Sequence, residues 1–171
     1  MNRKAKRYFL LVDNYLEVSK LILETLITND NSNAGLGKTP EKAEENMRSN
    51  DIKSDSTLFI PMIFNSFQSI ELFIKGLLLL NNVKPEEIHE ISKLLPALET
   101  IYGEQSEIYK SINKFYSNQV EIIKEFKKNN NITNMKELYE SLRYPEKNDK
   151  IYEYSYLKYN GDEGIKQFKT I

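Results

Sequence analysis

At 171 residues, with 24 basic and 25 acidic side chains and a formal charge of −1, the chain has no global field to drive strong non-specific binding to nucleic acid or membranes. Its length fits one domain that buries about 70% of its unfolded surface, and the lack of cysteine excludes disulfides, thiolate metal ligation and a cysteine nucleophile. Asp13, Asn14, Glu17 and Lys20 interrupt the apolar residues of the N-terminal MNRKAKRYFLLVDNYLEVSK, so it reads as neither secretory leader nor membrane span; a soluble, cytoplasmic protein without membrane contact is expected. In so Asn-, Lys- and Ile-rich a chain isolated Lys and Asn residues carry little weight, whereas arginine, with four copies, carries more.

From residue 5 to 28, Tyr8, Leu11, Val12, Tyr15, Leu16, Ser19, Ile22, Leu23 and Leu26 recur at spacings of three and four, which predicts an amphipathic helix. Residues 29–55 are polar, lack periodicity and hold Gly35, Gly37 and Pro40, so they read as a long flexible loop with one short helix over 40–48. Within it, GLGKT at 35–39 falls short of a phosphate-binding loop: Ser32 stands where the first glycine belongs, no strand precedes, and Pro40 follows.

Residues 56–82 are apolar nearly all round, as a central buried helix would be, with Pro61 in its first turns and Asn81 and Asn82 at its end. Pro85, followed by Glu86 and Glu87, predicts the start of the next helix, kinked at Pro96 and stopped at Gly103. Ile108, Ile112, Phe115, Tyr116, Val120, Ile123 and Phe126 predict a third long helix over 104–128, broken by Asn129 to Asn131. A short helix at 134–142 leads into Leu142-Arg143-Tyr144-Pro145, and the closing GIKQFKTI reads as a helix interrupted without a cap, as in a piece of a longer protein. With no run of alternating strands, no repeat and no second domain, residues 1–171 read as a single all-α domain.

Glu71 and Lys75 stand one turn apart amid Leu72, Phe73, Ile74 and Leu77, an acid and a base inside an apolar helix. Exposed, such a pair is worth only about 0.2–0.5 kcal/mol, and an unpaired buried charge is costly, so the two are expected to meet a groove or another helix. Two readings stay open, a structural polar network reaching His89 and Arg143, and a ligand site. His89, the only histidine, reads as a structural group at a helix start or as a site residue, and alone it lacks the paired spacing of a helical zinc site. Tyr144 either packs on the Arg143 guanidinium or stacks on a base. Tyr152, Tyr154, Tyr156 and Tyr159 form a stacking surface or simple packing, and the basic stretches Arg3 to Arg7 and Lys124 to Lys128 read as solvated faces.

The run Ile70-Glu71-Leu72-Phe73-Ile74-Lys75-Gly76-Leu77-Leu78-Leu79, then His89-Glu90-Ile91 with Leu94-Leu95, then Leu142-Arg143-Tyr144-Pro145, resembles the HEPN superfamily (higher eukaryotes and prokaryotes nucleotide-binding). In that group one helix carries E-L-x-x-K-x-L-L, the next begins at H-x-L/I, and an R-Y-P element often precedes the final helix. The resemblance implies a bundle of four or five helices that pairs into a homodimer, with functional groups in a cleft near the subunit contact. Many members are metal-independent ribonucleases of toxin, phage-defence and CRISPR systems, using an Arg followed within four to six residues by a His. There the imidazole moves the proton of a ribose 2′-hydroxyl or of the leaving oxygen, and the guanidinium holds a phosphate. This chain departs at that place, because Asn148 stands at the four-residue spacing from Arg143 and no histidine follows. An amide cannot transfer the proton.

Three expectations remain. The first is an RNA- or nucleotide-associated HEPN-like protein of a prokaryotic defence or toxin–antitoxin system, without the usual catalysis, whose partner is a nucleotidyltransferase or an antitoxin. The second is an atypical metal-independent endoribonuclease using His89 and Arg143, helped by Lys75 or Glu71. The third is a non-catalytic helical dimerisation module. Candidate residues are thus His89 and Arg143 for catalysis, and Glu71, Lys75, Tyr144 and Asn148 for a ligand site or polar cluster, with no metal and no cofactor expected.

Overall fold

The computed structural model describes residues 2–28, 39, 41, 55–85, 89–117, 121–147, 149–154 and 157. The expected flexible loop over 29–55, with its GLGKT sequence, lies outside the described residues apart from Thr39, Glu41 and Asp55, and Asn148, Tyr156, Tyr159 and the C-terminal segment lie outside them too.

Asn2 opens α1 (Arg3–Thr28): its side-chain oxygen accepts from the Lys4 N–H at 2.9 Å, satisfying one donor that a helix start leaves orphaned. Ala5, Val12, Ser19 and Leu26, seven residues apart, form the buried face of α1 and pack on α2 (Asp55–Leu80). Gly76 permits this approach, since a Cβ there would lie 2.8 Å from the Phe9 ring, which itself meets Phe73 edge-on at 5.9 Å. Over Leu58–Leu80, α2 is long and apolar enough to cross a membrane, yet 61% of its most apolar window is buried within the protein, as in the central helix of a bundle. Pro61 sits seven residues into α2, past the first turn, so its missing N–H removes one helical hydrogen bond, at a solvent-facing position.

Asn82 ends this helical stretch with φ 60°, and Val83 N–H closes back onto the Leu78 carbonyl at 2.9 Å. That is the left-handed closure that Asn tolerates better than most residues. The expected helix start at Pro85 is displaced: Pro85, His89 and Glu90 are not helical, residues 86–88 lie outside the described set, and α3 runs Ile91–Tyr102. Glu90 is extended (φ −131°, ψ 106°), and His89 just before it is engaged with Glu71 on α2, which holds this segment out of the helix. Ile91, Leu94, Leu95 and Leu98 form the buried stripe of α3, and Gly103 at φ 79° stops it, donating to Glu99 O at 2.7 Å.

The predicted third long helix is present as α4 (Glu107–Ser117) and α5 (Glu121–Asn129), with 118–120 outside the described residues. Phe115 of α4 meets Phe67 of α2 edge-on at 5.6 Å, and the buried Ile123 and Phe126 of α5 join the same core. The Asn run ends α5 as expected: Asn131 adopts φ 50° and Ile132 N–H reaches Lys127 O at 2.8 Å. Asn134 caps α6 (Met135–Ser141), its side chain accepting from the Glu137 N–H at 2.9 Å. Beyond it, β1 (Glu146–Lys147) and β2 (Lys150–Ile151) form a short antiparallel hairpin that the polar sequence did not advertise, with Asp149 at φ 63° in its turn. Among the described residues the architecture is nonetheless all-α, with α2 and five other helices sharing one core, and the hairpin is the one departure.

Candidate functional site

Four residues apart on α2, Glu71 and Lys75 project to the same side of the helix and are buried, with side chains 2% and 7% exposed. Lys75 Nζ donates to Glu71 Oε1 at 2.7 Å, so each charge is neutralised by its neighbour in a place where an unpaired one would be costly. The same Oε1 lies 3.0 Å from His89 Nδ1, and the imidazole is otherwise exposed, its side chain 67% accessible. A carboxylate only accepts hydrogen bonds, so Nδ1 of His89 donates and Nε2 is left directed elsewhere.

A cavity of about 20 Å³, room for about one water molecule, opens beside this pair between Glu71, His89, Tyr116 and Tyr139. Glu90 at its rim accepts from the Ser92 hydroxyl at 2.8 Å and pairs with Lys93 at 3.2 Å, and these two contacts hold its carboxyl below the ordinary carboxylate range. Among the described residues, no three His, Asp or Glu side chains gather as a metal site needs.

Tyr139 of α6 forms the second half of the arrangement. One ring face stacks on Phe64 of α2 at 5.5 Å and 8°, the phenol donates to Gln68 Oε1, and the Arg143 guanidinium lies 5.7 Å from the ring centroid. Burial, and next the charge of Glu71, push its phenol from the ordinary 10.0 up to about 12, with Arg143 opposing them. Arg143 also lies 5.2 Å from the Tyr144 ring, so its guanidinium is in contact range of two aromatic faces. Both Arg143 and Tyr144 are exposed, Tyr144 at 53%.

The sequence-predicted residues therefore fall into two groups. Glu71, Lys75 and His89 are brought together by direct contacts, Arg143 and Tyr144 form the other group, and Tyr139 touches Arg143 while sharing the cavity with Glu71 and His89. Asn148 lies outside the described residues. Tyr152 is buried, and Tyr154 stacks on Phe126 at 5.7 Å while its hydroxyl donates to the Ser141 and Tyr144 carbonyls, so these two tyrosines pack rather than offer free faces. Sequence reasoning overlooked Gln68 and Tyr139. Gln68 gave no signal, but Tyr139 stands one helical turn before Arg143, a spacing at which a ring and a cation can meet.

The helical order and the three landmarks on α2, before α3 and after α6 define a helical bundle of a known class. A model of the HEPN domain matches residues 38–168, well over half of the 171, and the chain belongs to the HEPN family. No match was found among curated proteins or among solved structures.

Proposed function

We propose that this HEPN protein binds RNA or a nucleotide through Arg143 and Tyr144, in the cytoplasm and within a prokaryotic defence or toxin–antitoxin system, and lacks the family's usual ribonuclease chemistry. The observation that carries the reading is the exposed Arg143 guanidinium, 5.7 and 5.2 Å from the Tyr139 and Tyr144 rings. A guanidinium so flanked keeps its N–H donors for a phosphate, while the exposed Tyr144 ring offers a face on which an unpaired base can stack. The missing histidine downstream of Arg143 argues against the standard cleavage step. A neighbouring gene for a nucleotidyltransferase or an antitoxin would supply the partner this reading calls for.

The test is anisotropy of a labelled single-stranded oligoribonucleotide, with mononucleotides as competitors. Tyr144→Ala is expected to weaken binding about tenfold, within the range of one lost base stack. Arg143→Ala should weaken it similarly and lower the salt dependence by about one phosphate contact. Binding that neither substitution changes, or no binding at all, overturns the reading.

A second reading is favoured by one contact. Glu71 orients His89 from Nδ1, the arrangement that leaves Nε2 able to take a proton from a 2′-hydroxyl, with Arg143 to hold the phosphate. Metal-independent RNA cleavage that is lost in His89→Ala and in Arg143→Ala, yet kept in Lys124→Ala, would establish it over the first.

A further inference from the structure

The carboxylate of Glu71 is used on one side only. Its Oε1 takes both hydrogen bonds, from Lys75 Nζ at 2.7 Å and from His89 Nδ1 at 3.0 Å, while Oε2 accepts none among the described residues. A carboxylate has lone pairs for about four donors, so half the capacity of this buried group is unspent. Glu71 lines the cavity of about 20 Å³ that it shares with His89, which has room for about one amino group as well as for one water. Lys136 of α6 lines the same cavity, with its side chain 58% exposed and its ammonium 4.0 Å from Glu140. The cavity thus pairs a buried acceptor with a flexible cation at its rim.

That order of charges matches one kind of nucleobase edge. Cytosine and adenine each present, side by side, an amino group that donates and a ring nitrogen that accepts, and both are accessible when the base is unpaired. The amino group can donate to Glu71 Oε2, as carboxylates accept from the cytosine amine, while the Lys136 ammonium donates to the ring nitrogen. Uracil and guanine invert both positions. A carbonyl oxygen then faces the carboxylate and a ring N–H faces the ammonium, so two repulsive contacts replace two hydrogen bonds. Such a base also sits beside the proposed phosphate contact: Tyr139 lines the cavity, and the Arg143 guanidinium lies 5.7 Å from its ring centroid and 5.2 Å from that of Tyr144. A phosphodiester joins two nucleosides, so a phosphate held at Arg143 has one neighbour for the Tyr144 face and one for the cavity.

We propose that Glu71 and Lys136 select an unpaired cytosine or adenine next to the phosphate held by Arg143. The inference rests on the reading of Arg143 and Tyr144 as an RNA site. Oligocytidylate and oligouridylate of equal length, matched in charge and ring size, are competed against a labelled oligoribonucleotide followed by anisotropy. Oligocytidylate is expected to bind about tenfold more tightly, within the discrimination that one good base contact supplies. An oligomer of N4,N4-dimethylcytidylate, which keeps the charge and the ring but lacks both amino N–H groups, is expected to lose that advantage. Glu71→Gln, whose amide can turn an N–H toward the cavity, and Lys136→Met should each lower the ratio of cytidylate to uridylate affinity, while Lys110→Ala on the exposed side of α4 leaves it unchanged. The exposed Lys136 and the modified ligand keep the test independent of whether Glu71→Gln folds. Equal binding of the two oligomers, still weakened by Arg143→Ala, overturns the selection and leaves the RNA reading standing. Binding of neither overturns both, and a preference for cytidylate that survives Lys136→Met and dimethylation overturns the assignment to this cavity.

Discussion

His89 Nδ1 lies 3.0 Å from the buried Oε1 of Glu71, so an exposed imidazole is oriented by a carboxylate out of reach of bulk water. With the carboxylate as acceptor, the neutral ring carries its proton on Nδ1. As the only histidine it gives a single set of ring signals, and a nitrogen–proton correlation spectrum of the neutral form should show the Nδ1–H tautomer. Glu71→Gln should let the Nε2–H form appear. An Nε2–H tautomer in the native protein would contradict the contact.

The pairing of Glu71 with Lys75 predicts a sharp asymmetry in stability. Lys75→Met leaves the buried carboxylate without its ammonium and should cost about 3–5 kcal/mol, read as a lower urea midpoint at unchanged slope. Adding Glu71→Leu to it should restore most of the loss, because a buried ion pair roughly breaks even against well-packed apolar side chains. If the double variant is as weak as the single one, the two charges are not coupled.

Tyr139 makes a prediction about alkaline pH. Its phenol titrates at about 12 in the folded protein against the ordinary 10.0, because burial and then Glu71 disfavour the phenolate. A pKa raised on folding contributes stability that is complete below the unfolded value and is lost as pH rises through the folded one. Stability measured by urea for the native protein relative to Tyr139→Phe should therefore be constant up to about pH 10 and decline toward pH 12. A difference that stays flat across that window would mean the phenol is not perturbed.

At the end of α2 the left-handed Asn82, φ 60°, sets the tolerance to substitution. Asn82→Gly should be neutral or slightly stabilising, while Asn82→Val should cost about 1–2 kcal/mol, since a β-branched residue resists this backbone. Thermal melts of the two variants check it, and equal melting temperatures would contradict the assignment.

Those parts of the fold governed by local pattern could be read from the chain alone. The three-and-four spacing of α1, the all-round apolarity of α2 and the Asn run after α5 each found their counterpart, because helix periodicity and helix stops act within one or two turns. The start of α3 could not be read that way. Pro85 with two following acids is a sound local start signal, but His89 is engaged by a carboxylate 18 residues earlier, and Glu90 stays extended ahead of Ile91. Glu71 and Lys75 announced their pairing through the i,i+4 spacing. Gln68 did not, since its role depends on Tyr139 arriving from 71 residues downstream, a contact that only the packed bundle creates.

The Arg143 turn is fastened from several sides. The buried side chain of Asn130 donates to Glu153 O at 3.1 Å and accepts from Glu153 N–H at 2.7 Å, Tyr152 N–H reaches Pro145 O at 2.9 Å, and the Tyr154 hydroxyl holds the carbonyls of Ser141 and Tyr144. Chain on both sides of Arg143 and Tyr144 is thus closed into a ring by groups belonging to the turn after α5 and to the segment after the hairpin. Under the proposed reading, a ligand that docks there would meet backbone already held in place, so little loop entropy would be left to surrender.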